Sequence, residues 1–186
     1  MKLSFCAFLL LCPLAVWAAP ASAPVPPALN RTTALVQTIK RFADAMRDDN
    51  ATVQSISRLV GPVKEHSSDY ADLTPTDPYF SAGNVSVAAY QKPSRLRLEE
   101  RTPDFLDLTL AKGVVLTLGD LGRTFGKWHT VPINPDGGSY HVVFTYPNSR
   151  ALFRIALFAD LTGPPQNKTT RVQKIMLRRD DTRGGV

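Results

Sequence analysis

His66 and Ser67 are adjacent, and a serine beside an imidazole is the smallest arrangement that suggests nucleophilic catalysis. Such catalysis needs a base aimed at the hydroxyl, which sequence adjacency does not supply. His129 and His141 are the remaining histidines. No Gly-x-Ser-x-Gly elbow accompanies any of the three. Zinc would want three or four His, Cys or carboxylate ligands. Glu65-His66 in one loop and His129 and His141 in another would have to converge, and separate surface histidines are the plainer expectation. Asp69, Asp72 and Asp77 offer carboxylate pairs of the kind that cleave glycosides. They share one loop, whereas catalytic pairs sit on rigid elements a fixed distance apart. Gly119, Gly122 and Gly126 precede Lys127, but the spacing fits no phosphate loop and Trp128 stands where Ser or Thr belongs. These glycines read as close-packing points. No cofactor motif is present, and the chain is expected not to be an enzyme.

The remaining candidates form a surface. Residues 62–82 read as a long loop carrying Glu65, Asp69, Asp72 and Asp77, with Tyr70, Tyr79 and Phe80 interleaved. A second loop, 127–139, holds Trp128 and His129. Arg95, Arg97, Glu99, Asp107, Arg154 and Lys174 fall on outward strand positions. Tyr, Trp and Arg dominate interface energies. Partner binding is therefore assigned to Glu65, Asp69, Tyr70, Asp72, Asp77, Tyr79, Trp128, His129, Arg95, Arg97 and Arg154. The competing reading is an ordinary solvated sheet face, with Tyr70, Tyr79 and Trp128 tucked onto their own loops.

Several elements must position these residues. Thr33 can cap a helix running to about residue 47, with Leu35, Ile39, Phe42 and Met46 on one face. Thr52 caps a second helix, which Gly61 and Pro62 stop, the glycine by a left-handed turn. A third helix covers 117–125. Residues 85–90, 95–100 and 105–111 read as strands, and so do 140–146, 151–160 and 171–179. Their alternation is that of half-buried antiparallel sheet. Leu96, Leu98, Leu106, Leu108, Leu110, Phe153, Ile155, Leu157, Ile175 and Leu177 should point at the helices. Val142, Phe144 and Tyr146 join them, with Val143 competing for that register.

The stretch 52–61 lies over 117–126 without a gap. Thr, Arg and Gly coincide, as do Val53/Leu118, Ile56/Leu121 and Val60/Phe125. Tyr90–Arg95 also resembles Tyr146–Arg150. The expected class is α+β: two tandem repeats of a helix plus antiparallel strands, with helices on one face of a meander sheet. The boundaries are 1–18 for a signal peptide, 19–31 for a flexible Ala/Pro-rich leader, 32–112 and 113–180 for the repeats, and 181–186 for a tail.

The start of the chain reads as a secretion signal: Lys2, an apolar stretch over 3–16, then small residues. Cleavage after Ala18 is preferred, because Pro24 disfavours the site at Ala23. The small-residue site looks bacterial and places the mature chain in a periplasm or outside the cell. Both cysteines, Cys6 and Cys12, lie in the signal. Leu11 before Cys12 argues against lipid attachment. A cysteine-free mature chain in an oxidising compartment must be held by its core. Of 22 Lys and Arg only Lys2 is lost, which against 16 acids leaves a net charge of +5. Such a balance suits anionic partners or simply solubility, and no dense basic stripe suggests nucleic acid. No membrane-spanning segment follows the signal. Four glycosylation-type sequons, at Asn30, Asn50, Asn84 and Asn167, read as chance in a bacterial chain.

A Thr-capped short helix ending in Gly61-Pro62 and followed by strands, with a second such helix at Thr117–Gly126, resembles the beta-lactamase inhibitor protein fold. It also resembles the small outer-membrane assembly lipoproteins. The resemblance spans residues 32–180. It departs at the missing disulfides, the missing lipid cysteine and the missing proline after Gly126. It implies a secreted protein that inhibits or neutralises another protein, such as a toxin or envelope-directed enzyme, as an immunity protein does. The alternative is an envelope assembly factor that binds membrane proteins or anionic polymers.

Overall fold

The computed structural model describes residues 28–90, 96–131, 140–146, 153–165 and 167–181. The expected signal peptide with Cys6 and Cys12, most of the leader, Arg95, the segment 132–139 and the last residues of the tail lie outside them.

Among the described residues three helices and eight strands follow in the order α1 (Ala28–Met46), α2 (Val53–Val60), β1 (Val63–His66), β2 (Tyr70–Leu73), β3 (Phe80–Ala88), β4 (Phe105–Leu110), α3 (Leu118–Phe125), β5 (Trp128–Thr130), β6 (Tyr140–Tyr146), β7 (Phe153–Leu161) and β8 (Val172–Asp181). The strands form one antiparallel sheet ordered β1-β2-β3-β4-β8-β7-β6-β5. This overturns the expectation of two tandem helix-plus-strand repeats. β4 and β8 pair through five registered positions, from Phe105↔Arg178 to Thr109↔Lys174. One continuous core also runs beneath the whole sheet. β4, from 32–112, and β8, from 113–180, are thus neighbours in the one sheet.

The helices cover one face. Leu35, Ile39, Phe42 and Met46 are at most 1 % exposed, as their three- and four-residue spacing predicts. α1 packs against both shorter helices. It begins earlier than the Thr33 cap anticipated, since residues 28–31 contain neither Gly nor Pro to stop it. Both short helices open with reciprocal caps. Thr52 Oγ1 accepts from Ser55 N at 3.1 Å, and Ser55 Oγ accepts from Thr52 N at 3.0 Å. Thr117 Oγ1 accepts from Asp120 N at 3.2 Å, and Asp120 Oδ2 accepts from Thr117 N at 2.9 Å. Each box satisfies helix-end donors that otherwise lack partners.

Gly61 works differently from the left-handed turn expected. Its φ of 158° lies close to extended backbone. A Cβ there would lie 1.8 Å from the Thr74 carbonyl oxygen, so the need is close approach. Gly126, which ends the third helix, has a positive φ of 86°, as Gly83 at 84° and Gly113 at 86° also have. Gly119 and Gly122 are close-packing points: added Cβ atoms would meet the Lys168 carbonyl oxygen at 3.0 Å and the Trp128 ring at 3.3 Å.

Two further expectations are corrected. Residues 96–100 of the expected strand 95–100 are not a strand: Leu98–Glu100 is a 3-10 turn, Leu98 is buried and Leu96 is 43 % exposed. The stretch 62–82 is not one loop, since it contains β1, β2 and the start of β3. The inward set is otherwise as alternation predicted. Leu106, Leu108, Ile155, Leu157, Ile175, Leu177, Val142 and Phe144 are fully buried, and Leu110 nearly so. The side chains of Phe153 and Tyr146 are not described. Among the described residues no helix is long and apolar enough to cross a membrane.

Candidate interaction surface

Because the helices lie on one side, the other side of the sheet is uncovered by any described element. Strand register defines what it displays, since directly paired residues share a face. One row crosses all eight strands: Glu65, Asp72, Ser86, Asp107, Met176, Phe158, Val143 and His129. A neighbouring row runs Tyr70, Ala88, Phe105, Arg178, Ala156 and Thr145. A third holds Thr109, Lys174, Asp160 and His141.

Aromatic and aliphatic side chains on this face are interleaved with charged ones, which stand on the central strands as well as at the margins. Tyr70 is 43 % exposed, and Tyr90, beyond the end of β3, is 56 % exposed. Tyr90 meets Phe105 edge-on at 5.7 Å between ring centroids. The Arg178 guanidinium stacks 4.6 Å above the Phe158 ring and donates to Asp180 through Nε at 2.5 Å and Nη2 at 3.1 Å. Lys174 Nζ lies 3.3 Å from Asp107 Oδ1, and His141 Nδ1 lies 2.7 Å from Asp160 Oδ1. Half-exposed rings beside paired charges are what an interface centre and its rim require.

The structure divides the residues assigned to binding from sequence. Glu65, Tyr70, Asp72, His129 and Arg154 belong to the open face, Arg154 in register with Asp180. Trp128 does not: it pairs with Phe144 and packs on that ring at 5.9 Å, on the helix side. Tyr79 packs against the core. Asp77 accepts from Thr38 Oγ1 of α1 at 3.2 Å and from Tyr79 N at 3.0 Å, so it anchors the approach to β3. Asp69 is ion-paired with Arg101 at 3.1 Å. Arg101 Nε also donates to Leu96 O, tying the 3-10 segment down. Arg97 is exposed at the start of that turn. The two loops expected to act together thus contribute mainly strand residues to the open face.

Sequence reasoning missed Tyr90, Phe105, Met176, Arg178 and Ser86. The signal was available for three of these. Phe105, Met176 and Arg178 alternate with inward Leu106, Ile175 and Leu177, so period two alone places them outward. Of the histidines, His66 is exposed on the edge strand β1, while His129 and His141 lie near one another on the opposite margin. Among the described residues no serine or threonine hydroxyl hydrogen-bonds any of their rings, and His141 pairs with Asp160.

A second feature lies on the helix side. Arg123, Lys127 and Lys168 line an open groove of about 620 Å³ over Gly119, Gly122 and Gly126, with Trp128 as one wall. Arg123 is paired with Asp120.

No protein-family model matches the chain, and no match was found among curated proteins or among solved structures.

Proposed function

We propose that the chain is a secreted, non-enzymatic binding protein that uses the open face of its sheet to occlude another protein. The partner is a toxin or an envelope-directed enzyme, and the role is that of an inhibitor or immunity protein. The observation that carries this reading is the central strip of Tyr70, Tyr90, Phe105, Met176 and Phe158 on a face that no described element covers. Rings held by paired backbone lose little conformational freedom on contact, which favours tight association.

The test is capture. The tagged chain, secreted by its native host, is cross-linked and recovered, and the attached protein is identified by mass spectrometry. One partner is expected, and its toxicity or activity should be suppressed on co-expression. The combined Tyr70→Ala, Phe105→Ala and Phe158→Ala variant should keep its fold by circular dichroism and lose the partner. A folded variant that still captures it sinks the reading.

The groove of Arg123, Lys127 and Lys168 favours a second reading, envelope assembly through an anionic polymer. Salt separates the two. Binding through exposed cations weakens steeply as ionic strength rises, because the screening length is only about 8 Å at physiological salt. An aromatic, desolvated interface persists.

A further inference from the structure

We propose that the depression on the open face between β2, β3 and β4 receives an arginine side chain of the partner protein. The proposal rests on the open face being the binding surface, and it names the chemistry that face selects.

The depression measures about 240 Å³. It exists because β3 presents only Ser86 and Ala88 where its neighbours present larger groups. Ser86 is paired with Asp72 on one side and Asp107 on the other, and Ala88 with Tyr70 and Phe105. Two small side chains between two rings leave a slot. Tyr70 and Phe105 flank it, Tyr90 stands over its end and Met176 closes it towards β8. Asp107 supplies the charge. Its Oδ1 is enclosed beside Lys174, yet the side chain as a whole remains 31 % exposed. Asp72 and Glu65 continue the same row outward, so the approach is lined with carboxylates.

Aromatic faces beside a carboxylate suit a cation, and the planar guanidinium suits them better than an ammonium. It stacks on rings and is less strongly hydrated, so it leaves water at lower cost. The same face displays this arrangement already occupied. Arg178 lies on Phe158 and is held at two points by Asp180, all within this chain. The slot at Tyr90, Phe105 and Asp107 repeats the ring and the carboxylate and lines up no guanidinium of its own among the described residues. Lys174 neutralises part of the Asp107 charge. The slot therefore favours a ligand that also gains from the rings over one that is only positive.

The experiment uses the isolated full mature chain labelled with ¹⁵N. It is titrated separately with N-acetyl-Gly-Arg-Gly-amide, with its lysine counterpart and with the uncharged citrulline counterpart. The arginine peptide should produce saturable amide shifts centred on Ser86, Ala88, Tyr90, Phe105 and Asp107. The citrulline peptide should produce none there. Asp107→Asn should weaken the arginine peptide about fivefold or more, and Tyr90→Leu, at an exposed position that cannot unfold the core, should weaken it about threefold. Equal responses to arginine and citrulline would overturn the proposal, and so would full binding by both variants. A lysine peptide that binds more tightly than arginine overturns the guanidinium assignment. If the partner is still captured while the slot ignores arginine, the slot fails and the binding function stands.

Discussion

Arg179, near the end of the last strand, donates from Nη1 to the main-chain oxygen of Met46, the last residue of the first helix, at 3.1 Å. The same nitrogen reaches Asp48 O at 2.9 Å. The side chain is 3 % exposed, with Asp49 at 3.7 Å from Nη2. Burial lowers the guanidinium pKa, and Asp49, Asp104 and Asp48 oppose that shift. An arginine keeps its proton in any case, so the direction expresses the cost of burying the charge rather than a titration. The contact caps helix-end carbonyls with a cation, which favours the helix dipole as well. It fastens the end of the first helix to the last strand.

Arg179→Met should therefore destabilise the fold by about 3 kcal/mol, because the buried Met46 carbonyl and the part-buried Asp48 carbonyl lose a charged donor. Urea unfolding followed by circular dichroism measures it. Arg178→Met, one residue away but on the open face, should change stability by less than about 1 kcal/mol.

Gly61→Ala should cost about 2–4 kcal/mol, since the methyl group would overlap the Thr74 carbonyl unless β2 moved. Gly126→Ala should cost only about 1 kcal/mol: its φ is strained for alanine, but the space around it is open. Thermal melts of the two variants should rank them in that order.

Thr52→Ala and Thr117→Ala should each cost about 1 kcal/mol through loss of a cap. Thr117 also bridges Arg171, and its flanking Leu118 N donates to Thr170 O. Its loss should loosen the β7–β8 turn, seen as faster amide exchange at Gly119, whereas Thr52→Ala should leave that amide protected.

The two sheet faces should respond oppositely to truncation. Leu157→Ala or Leu177→Ala removes a fully buried side chain and should cost about 2–4 kcal/mol. Their open-face neighbours Phe158 and Met176 should cost less than about 1.5 kcal/mol as alanine, while partner capture falls. Parallel melts and pull-downs of the four variants check this.

Much of this arrangement is legible in the residues themselves because it is local. Threonine side chains reach their own third-residue amides, so the caps at Thr52 and Thr117 need nothing from elsewhere in the chain. Alternation in 105–110 and 172–177 assigns Leu106, Leu108, Ile175 and Leu177 to the core by the pleat alone. The three- and four-residue spacing of Leu35, Ile39, Phe42 and Met46 does the same for α1. Other features depend on partners distant in sequence. Pairing of β4 with β8 is a long-range choice that local pattern cannot express, and it turned two expected repeats into one sheet. Glu65 and Asp72 became strand residues because β3 offered them an edge to build upon, although their own stretch reads as polar loop. Trp128 went inward since Phe144 and the bare face of Gly122 left room for its ring. Tyr79 and Asp77, read as binding residues, were taken up by the core and by Thr38. The slot at Ser86 and Ala88 exists only where three strands meet, because a cavity is a property of neighbours rather than of any one segment.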